Sequence, residues 1–340
     1  MIMGLPPWWF RTARVLARRD LVVASVTVMF YIRSHYSEFF SRRSMAHNSF
    51  GGAYTGTKLQ TIESYLHAYT HVLKNRSFET VFVDAFAGTG AVMSADNRES
   101  FFEVEEADRL MVGSAARALR LKVPFHRYIF VERAARKTEE LERLKADHPA
   151  LATRIEIRRM DANDAIADFC KSTDWRRTRA VVFLDPFGNQ VEWRTIERIA
   201  LTKAIDLWYL FPAGLGVARQ IALSGKVLDE HAASLDRLLG TPEWRVHFLK
   251  PVTTPDLFEG EVKGFERRVT ADSVTSFLVE RMSKIFEGGV LSKWLPLGPG
   301  ARHDYSLVFA CANPSPAANE KALRIARSVM EKGASSGRRK

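Results

Sequence analysis

The chain is poor in cysteine, with only Cys170 and Cys311 among its 340 residues. Two isolated thiols make neither a disulfide scaffold nor a metal-ligand spacing, so no metal is expected. Both read as core residues of an intracellular, cytoplasmic protein. Long apolar runs are also missing. The stretch Leu21 to Ile32 is too short to cross a bilayer as a helix, which takes about 20 residues, so no stable membrane insertion is expected. No Gly-Lys-Ser/Thr follows a glycine turn, which excludes a phosphate loop. No Gly-x-Gly-x-x-Gly occurs either, which argues against a dinucleotide oxidoreductase. Acids are the scarcer charge, 39 against 50 Lys and Arg, giving a net +11. The first 44 residues supply +5 of it, from seven arginines against Asp20 and Glu38. The remaining excess is compatible with a nucleic-acid substrate and equally with simple solubility.

What is present centres on Val81-Phe82-Val83-Asp84-Ala85-Phe86-Ala87-Gly88-Thr89-Gly90. An apolar strand ends in an acid and runs into a glycine turn. Gly88 and Gly90 can take backbone angles closed to other residues, and a helix starting near Ala91 would aim its free amides at the turn. The alternative is a tight connection and nothing more. Downstream, strands and helices alternate. Strands are expected at Tyr128–Glu132, Ile155–Ile157, Val181–Leu184 and Ile205–Phe211, with helices over 134–147, 164–171 and 193–203 between them. This alternation predicts a sheet, mostly parallel, sandwiched between helical layers. Leu59, Ile62, Leu66, Tyr69 and Leu73 predict a leading helix over 58–76 capped by Thr57. Helices are further expected over 113–122, 226–240, 265–287 and 317–332, with a late strand from Tyr305 to Cys311.

Residues 1–44 differ in character and read as a mistaken start before Met45, with a membrane-associated leader as the rival. Residues 45–332 are expected to form one domain with loop excursions near 91–112 and 241–264. The small, basic stretch 333–340 is expected to be a disordered tail.

The placement of acids carries the chemistry. Asp84, Glu132, Asp161 and Asp185 each follow a strand, and a parallel sheet puts such ends on one edge. Buried unpaired carboxylates are costly, so four together imply partners. Ribose hydroxyls suit Glu132. A base amino group suits Asp161 or the backbone beside it, and the amino-acid part of a cofactor suits the glycine turn and Asp84. Any one acid could instead cap a helix. Asp185-Pro186-Phe187-Gly188 is the sharpest short motif. A carboxylate and a proline carbonyl both accept hydrogen bonds, and an exocyclic NH₂ offers two donors. Phe187 could stack on a base, or belong to the core. Trp175, Arg176, Arg177 and Arg179 form a basic aromatic cluster, equally a nucleic-acid face or a solvated turn. Arg219 and Gln220 are candidates for phosphate or base contacts, or equally a surface helix start, and Arg302, His303, Asp304 and Tyr305 could form a polar rim or simply a turn.

The series from Val81 through Gly188 resembles the class I S-adenosylmethionine-dependent methyltransferases. The resemblance implies a three-layer Rossmann-like class I methyltransferase sandwich with a mostly parallel sheet, and S-adenosylmethionine as cofactor. It makes Asp84, Phe86, Gly88 and Gly90 the cofactor loop, Glu132 the ribose acid, and Asp161 with Ala162 the adenine side. Asp185, Pro186 and Phe187 take the place of the motif that methylates base amino groups, without its second proline. The same four residues, Asp185 to Gly188, resemble the catalytic motif of tRNA guanine-N2 dimethyltransferases, which favours RNA slightly over DNA.

A closer likeness covers the chain after Met45. Phe50-Gly51-Gly52, Lys58-Leu59, Tyr65-Leu66 with Tyr69-Thr70, Gly113-Ser114-Ala115, Phe183 to Gly188, Phe211 to Gly214 and Leu307 to Ala310 resemble the bacterial three-Cys-motif partner proteins (TcmP). That implies a methyltransferase-like protein with a three-Cys-motif protein as partner. The runner-up expectation is a non-catalytic binding or scaffold protein on the same fold.

Overall fold

The computed structural model describes residues 53–88, 113–221, 229–256, 260–267, 269–299 and 302–337. Residues 1–44, the excursion 91–112, Gly90 and the helix start near Ala91 lie outside them.

Helix α1 spans Ala53–Leu73 and leads into strand β1, Glu79–Asp84. Then come α2 Ser114–Leu119, β2 Arg127–Val131, α3 Ala135–Ala146, β3 Ile155–Arg158, α4 Ala162–Ser172, β4 Thr178–Leu184, α5 Trp193–Leu201 and β5 Ile205–Phe211. The second half holds a π-helical turn at Ala213–Ala218, α6 Asp229–Leu239, α7 Trp244–Phe248, β6 Leu249–Asp256 and β7 Gly260–Arg267. It ends with α8 Ala271–Ser283, β8 Leu295–Leu297, β9 Tyr305–Cys311 and α9 Pro316–Gly337.

Seven strands form one sheet in the order β3-β2-β1-β4-β5-β9-β8. The first five are mutually parallel, and β9 runs antiparallel to both β5 and β8. Strand residues alternate between two cores. Val81, Val83, Val182 and Leu207 face a layer that includes α4, α5, α6 and α8. Phe82, Phe130, Phe183 and Trp208 face the layer of α1, α2 and α9. A sheet covered on both faces explains why its strands read as unbroken apolar runs. Each large side chain buried there contributes about 1.5–3 kcal/mol over leaving it in water.

Three expectations need correction. The leading helix starts at Ala53, not after a Thr57 cap. Its extra first turn carries Tyr54, and the turn after it Lys58, to the cavity at the carboxyl edge of the sheet. The described part of the 241–264 stretch is not a loop. It is α7 followed by the antiparallel hairpin β6–β7, which also takes 265–267 from the expected helix. Helix α9 runs to Gly337, into the stretch expected to be a tail. Gly333 lets it pass close to α1: a Cβ there would sit 2.6 Å from the Thr61 hydroxyl.

Among the described residues no helix is long and apolar enough to cross a membrane.

Candidate functional site

The strand order, with an antiparallel β9 beside five parallel strands, is that of the Rossmann-like class I methyltransferase sandwich. In such a sheet the crevice opens at the carboxyl ends, where the order reverses between β1 and β4. Asp84 ends β1 and lies level with Phe183, two residues before Asp185.

The first turn is fixed by backbone on both sides. Ala85 N–H donates to the Phe183 carbonyl at 3.1 Å, and Ala87 N–H to that of Val131 at 3.0 Å. The Asp84 carboxylate accepts from the Phe86 amide at 3.2 Å and from the Ser114 hydroxyl at 2.5 Å. Gly88 takes φ +59°, a left-handed conformation that L side chains rarely adopt. An added Cβ would meet nothing nearer than 3.9 Å, so the backbone angle, and not crowding, calls for glycine.

Beyond the turn lies a cavity of about 550 Å³. Its walls bring together Phe86, Gly88, Glu132, Asp161, Ala162, Asp185, Pro186 and Phe187 from four separate segments of the chain. Of the described residues assigned to cofactor binding or transfer, only Asp84 is not on the wall. It is buried beneath the turn and braces it. Burial pushes its carboxyl up to about 7, and Asp185 adds to the rise, while Ser114, Phe86 and Lys58 oppose it.

Each of the four acids has a partner within the protein, where the sequence pointed to groups of a bound ligand. Glu132 accepts from the Ala134 amide at 2.7 Å, and Lys137 stands 3.9 Å from its other oxygen. Asp161 caps α4, accepting from the Asn163 amide at 2.8 Å and the Asn163 side chain at 3.1 Å, both on one oxygen. Asp185 accepts from the Lys58 ammonium at 2.5 Å, across 127 residues of sequence. The site therefore has two ends. Glu132 and Asp161 flank one, and Lys58, Asp185, Tyr54 and Tyr305 flank the other. The Tyr305 phenol is pushed up to about 12, chiefly by burial, and so stays a hydrogen-bond donor at neutral pH.

Phe187 is not a core residue: it is 75% exposed at the rim of the cavity. Its amide donates to the Gln190 side chain at 3.2 Å, and Gly188 turns the chain at φ +76°. Behind this loop, Asn189 donates to Gln220 at 2.9 Å. A Cβ on Gly216 would fall 2.1 Å from the Asn189 side-chain oxygen. Pro212-Ala213-Gly214-Leu215-Gly216 thus comes close to Asn189, the residue that follows the Asp185–Gly188 loop. Gln220 is bonded behind the loop and is not on the cavity wall.

Two sequence candidates lie elsewhere. Trp175, Arg176, Arg177 and Arg179 stand at the amino end of β4, about 20 Å from Asp185 by strand rise. Arg176 pairs with Asp174, and Arg179 donates to the Trp175 and Thr178 carbonyls, so this cluster is largely a self-satisfied turn. His303 bonds Ser306 at 2.8 Å and faces Asp272 at 3.2 Å. That chain has the connectivity of a charge relay, but Ser306 is fully buried and also tied to Thr275 at 2.6 Å. It is a structural brace.

Sequence reasoning met Lys58 only as part of a resemblance and gave it no role. Tyr54 and Ser114 had no signal of their own. Among the described residues no cluster of His, Cys, Asp and Glu could hold a metal.

No protein-family model matches the chain, and no curated protein matches it. Solved structures do. A Legionella pneumophila protein aligns at 12% identity over 71% of this chain and 94% of its own, with TM-score 0.34. A methyltransferase from Geobacter sulfurreducens aligns at 14% identity over 76% and 94%, with TM-score 0.28. Magnesium protoporphyrin IX methyltransferase from Synechocystis aligns at 11% identity over 62% and 80%, with TM-score 0.26. These likenesses are remote, and the fold assignment stands on the strand order.

Proposed function

We propose that the chain is an S-adenosylmethionine-dependent methyltransferase acting on an exocyclic amino group of a nucleic-acid base, with RNA favoured over DNA. One observation carries this reading. A single cavity joins an end fit for a nucleoside, at Glu132 and Asp161, to an end built on Asp185-Pro186 with an exposed aromatic ring beside it.

The donor set fits the cofactor. The cavity volume lies in the range of about 300–1,000 Å³ typical of small-molecule sites. Glu132 would hold the ribose hydroxyls, and Asp161 with Ala162 would border the adenine. Phe86, Gly88 and Gly90, with Asp84 bracing them, would receive the amino-acid part. When bound, S-adenosylmethionine supplies an electrophilic methyl group. The chain's own work is positioning. The Asp185 carboxylate and the Pro186 carbonyl accept the two N–H bonds of the amine and aim its lone pair, and Phe187 stacks on the base. Positioning of this kind needs no general base of raised pKa.

A second reading has an observation of its own. Asp185 is already neutralised by Lys58, as suits a non-catalytic methyltransferase-like scaffold that serves a three-Cys-motif partner. A tritiated-methyl screen over tRNA, rRNA and DNA separates the two. Transfer by the wild type, lost in Asp185→Ala with cofactor affinity retained, supports the enzyme. A folded protein that binds cofactor and labels none of the three supports the scaffold.

A further inference from the structure

The transfer end of the cavity has an uneven charge balance. Two carboxylates meet there. Asp84 closes β1 and Asp185 follows the adjacent strand β4. Among the described residues one cation serves both: Lys58, brought in by the first turns of α1, sits 2.5 Å from Asp185 with its side chain only 12% exposed. Its charge also reaches Asp84, opposing that acid's protonation.

The surrounding groups among the described residues do not correct the imbalance. Arg117, on the neighbouring α2, is matched by Glu63 at 2.6 Å. Lys137 is half-exposed beside Glu132 at the other end. Arg133 and Arg219 are exposed to solvent, where their fields are screened. Tyr305 is neutral. Asp304, buried next to Tyr305, is faced by Arg302 at 3.9 Å. Among the described residues, with Asp84 and Asp185 both ionised, the transfer end carries one negative charge.

We infer that Lys58 is a positioning residue that sets this charge. By neutralising one carboxylate of two, it leaves a site matched to a ligand of net charge +1 and mismatched to the neutral ligand left after the methyl group departs. It also pins Asp185 through Oδ2 and so orients the carboxylate for an incoming amine. The inference rests on the cofactor reading above and deepens it. S-adenosylmethionine, a zwitterion plus a sulfonium, has net charge +1. S-adenosylhomocysteine, a zwitterion with a thioether, has none. The site would therefore favour the methyl donor over the spent form.

The test is calorimetric titration of both compounds into the full chain, for the wild type, Lys58→Met, Lys58→Arg and Asp185→Asn, at about pH 8.5. The quantity read is the ratio of the two dissociation constants within one variant, from which any general loss of folded protein cancels. Removing one charge a few ångströms from the ligand in a partly solvated pocket is expected to move the ratio about tenfold. The two charge changes should act in opposite directions. Lys58→Met should raise the preference for S-adenosylmethionine, Asp185→Asn should lower it, and Lys58→Arg should keep the wild-type ratio. A merely structural role for Lys58 would weaken both ligands alike. Ratios unchanged in both Lys58→Met and Asp185→Asn, with the wild type binding, would overturn the inference and leave the cofactor reading standing. A folded wild type that binds neither compound would overturn the reading and the inference with it.

Discussion

Asp84 gives the sharpest stability prediction. Its side chain is fully buried, and burial raises its carboxyl from the ordinary 3.8 to about 7. In the unfolded chain the same acid ionises near 3.8. Between the two values the folded protein holds a proton that the unfolded chain has released. The unfolded state is therefore favoured as pH rises, and the stability due to this site, intact below pH 3.8, is lost as pH passes through about 7. At 1.36 kcal/mol per unit, a shift of about three units corresponds to about 4 kcal/mol in all, of which about 3 kcal/mol falls between pH 5 and 8. That is a sizeable part of the 5–15 kcal/mol typical of a domain. Asp84→Asn removes the titration and keeps the shape. The amide oxygen can still accept from Phe86, and the amide nitrogen can donate to Ser114 once that hydroxyl turns. Urea unfolding of both proteins at pH 5 and pH 8 reads the effect. The stability gap should move by about 3 kcal/mol in favour of Asp84→Asn at the higher pH. Asp206, raised to about 6 by burial, titrates in both proteins and cancels. A gap that stays constant across this range would refute the buried-carboxyl account.

Other perturbations separate binding, transfer and folding. Glu132→Ala should weaken S-adenosylmethionine binding at least tenfold by calorimetry, and should cost only about 1 kcal/mol of stability through the lost bond to the Ala134 amide. Phe187→Ala should leave stability within about 0.5 kcal/mol, because the ring is exposed. The same change should raise KM for the nucleic-acid substrate about 5- to 150-fold if a base stacks there, as a stacking energy of about 1–3 kcal/mol implies. Gly216→Ala drives a methyl into the Asn189 side chain and should abolish transfer while cofactor affinity is kept, since it displaces only the loops behind Asp185. Tyr65→Phe removes the hydroxyl that donates to Asp206 at 2.7 Å, and should cost about 1–3 kcal/mol in a urea melt.

The parallel half of the sheet was legible because its strands are buried on both faces. Val81–Asp84 and Val181–Leu184 therefore read as apolar runs, and their closing acids mark one edge. The mostly parallel sheet between two helical layers followed from the alternation with helices. The hairpin β6–β7 was not legible. Pro251, Pro255, Gly260 and Gly264 lie inside its strands and read as breakers, and its pairing is with itself and not with the main sheet. Strand β8 has only three residues, one of them Pro296, too few to show a period. The candidate site divides in the same way. Acids at strand ends announce themselves locally. The contact of Lys58 with Asp185 joins residues far apart in the chain, and no spacing rule points to it. Nor could the sequence tell whether Phe187 faces core or solvent, since a phenylalanine after a strand end fits either.

The central claim is that the carboxyl-edge cavity binds S-adenosylmethionine. Calorimetric titration of that compound into the full chain, with NADH as control and Glu132→Ala as the site variant, tests it most directly. Micromolar binding of S-adenosylmethionine, none of NADH, and a clear loss in the variant are the predicted result. A folded protein that binds no S-adenosylmethionine, or binds it equally well without Glu132, would contradict the account.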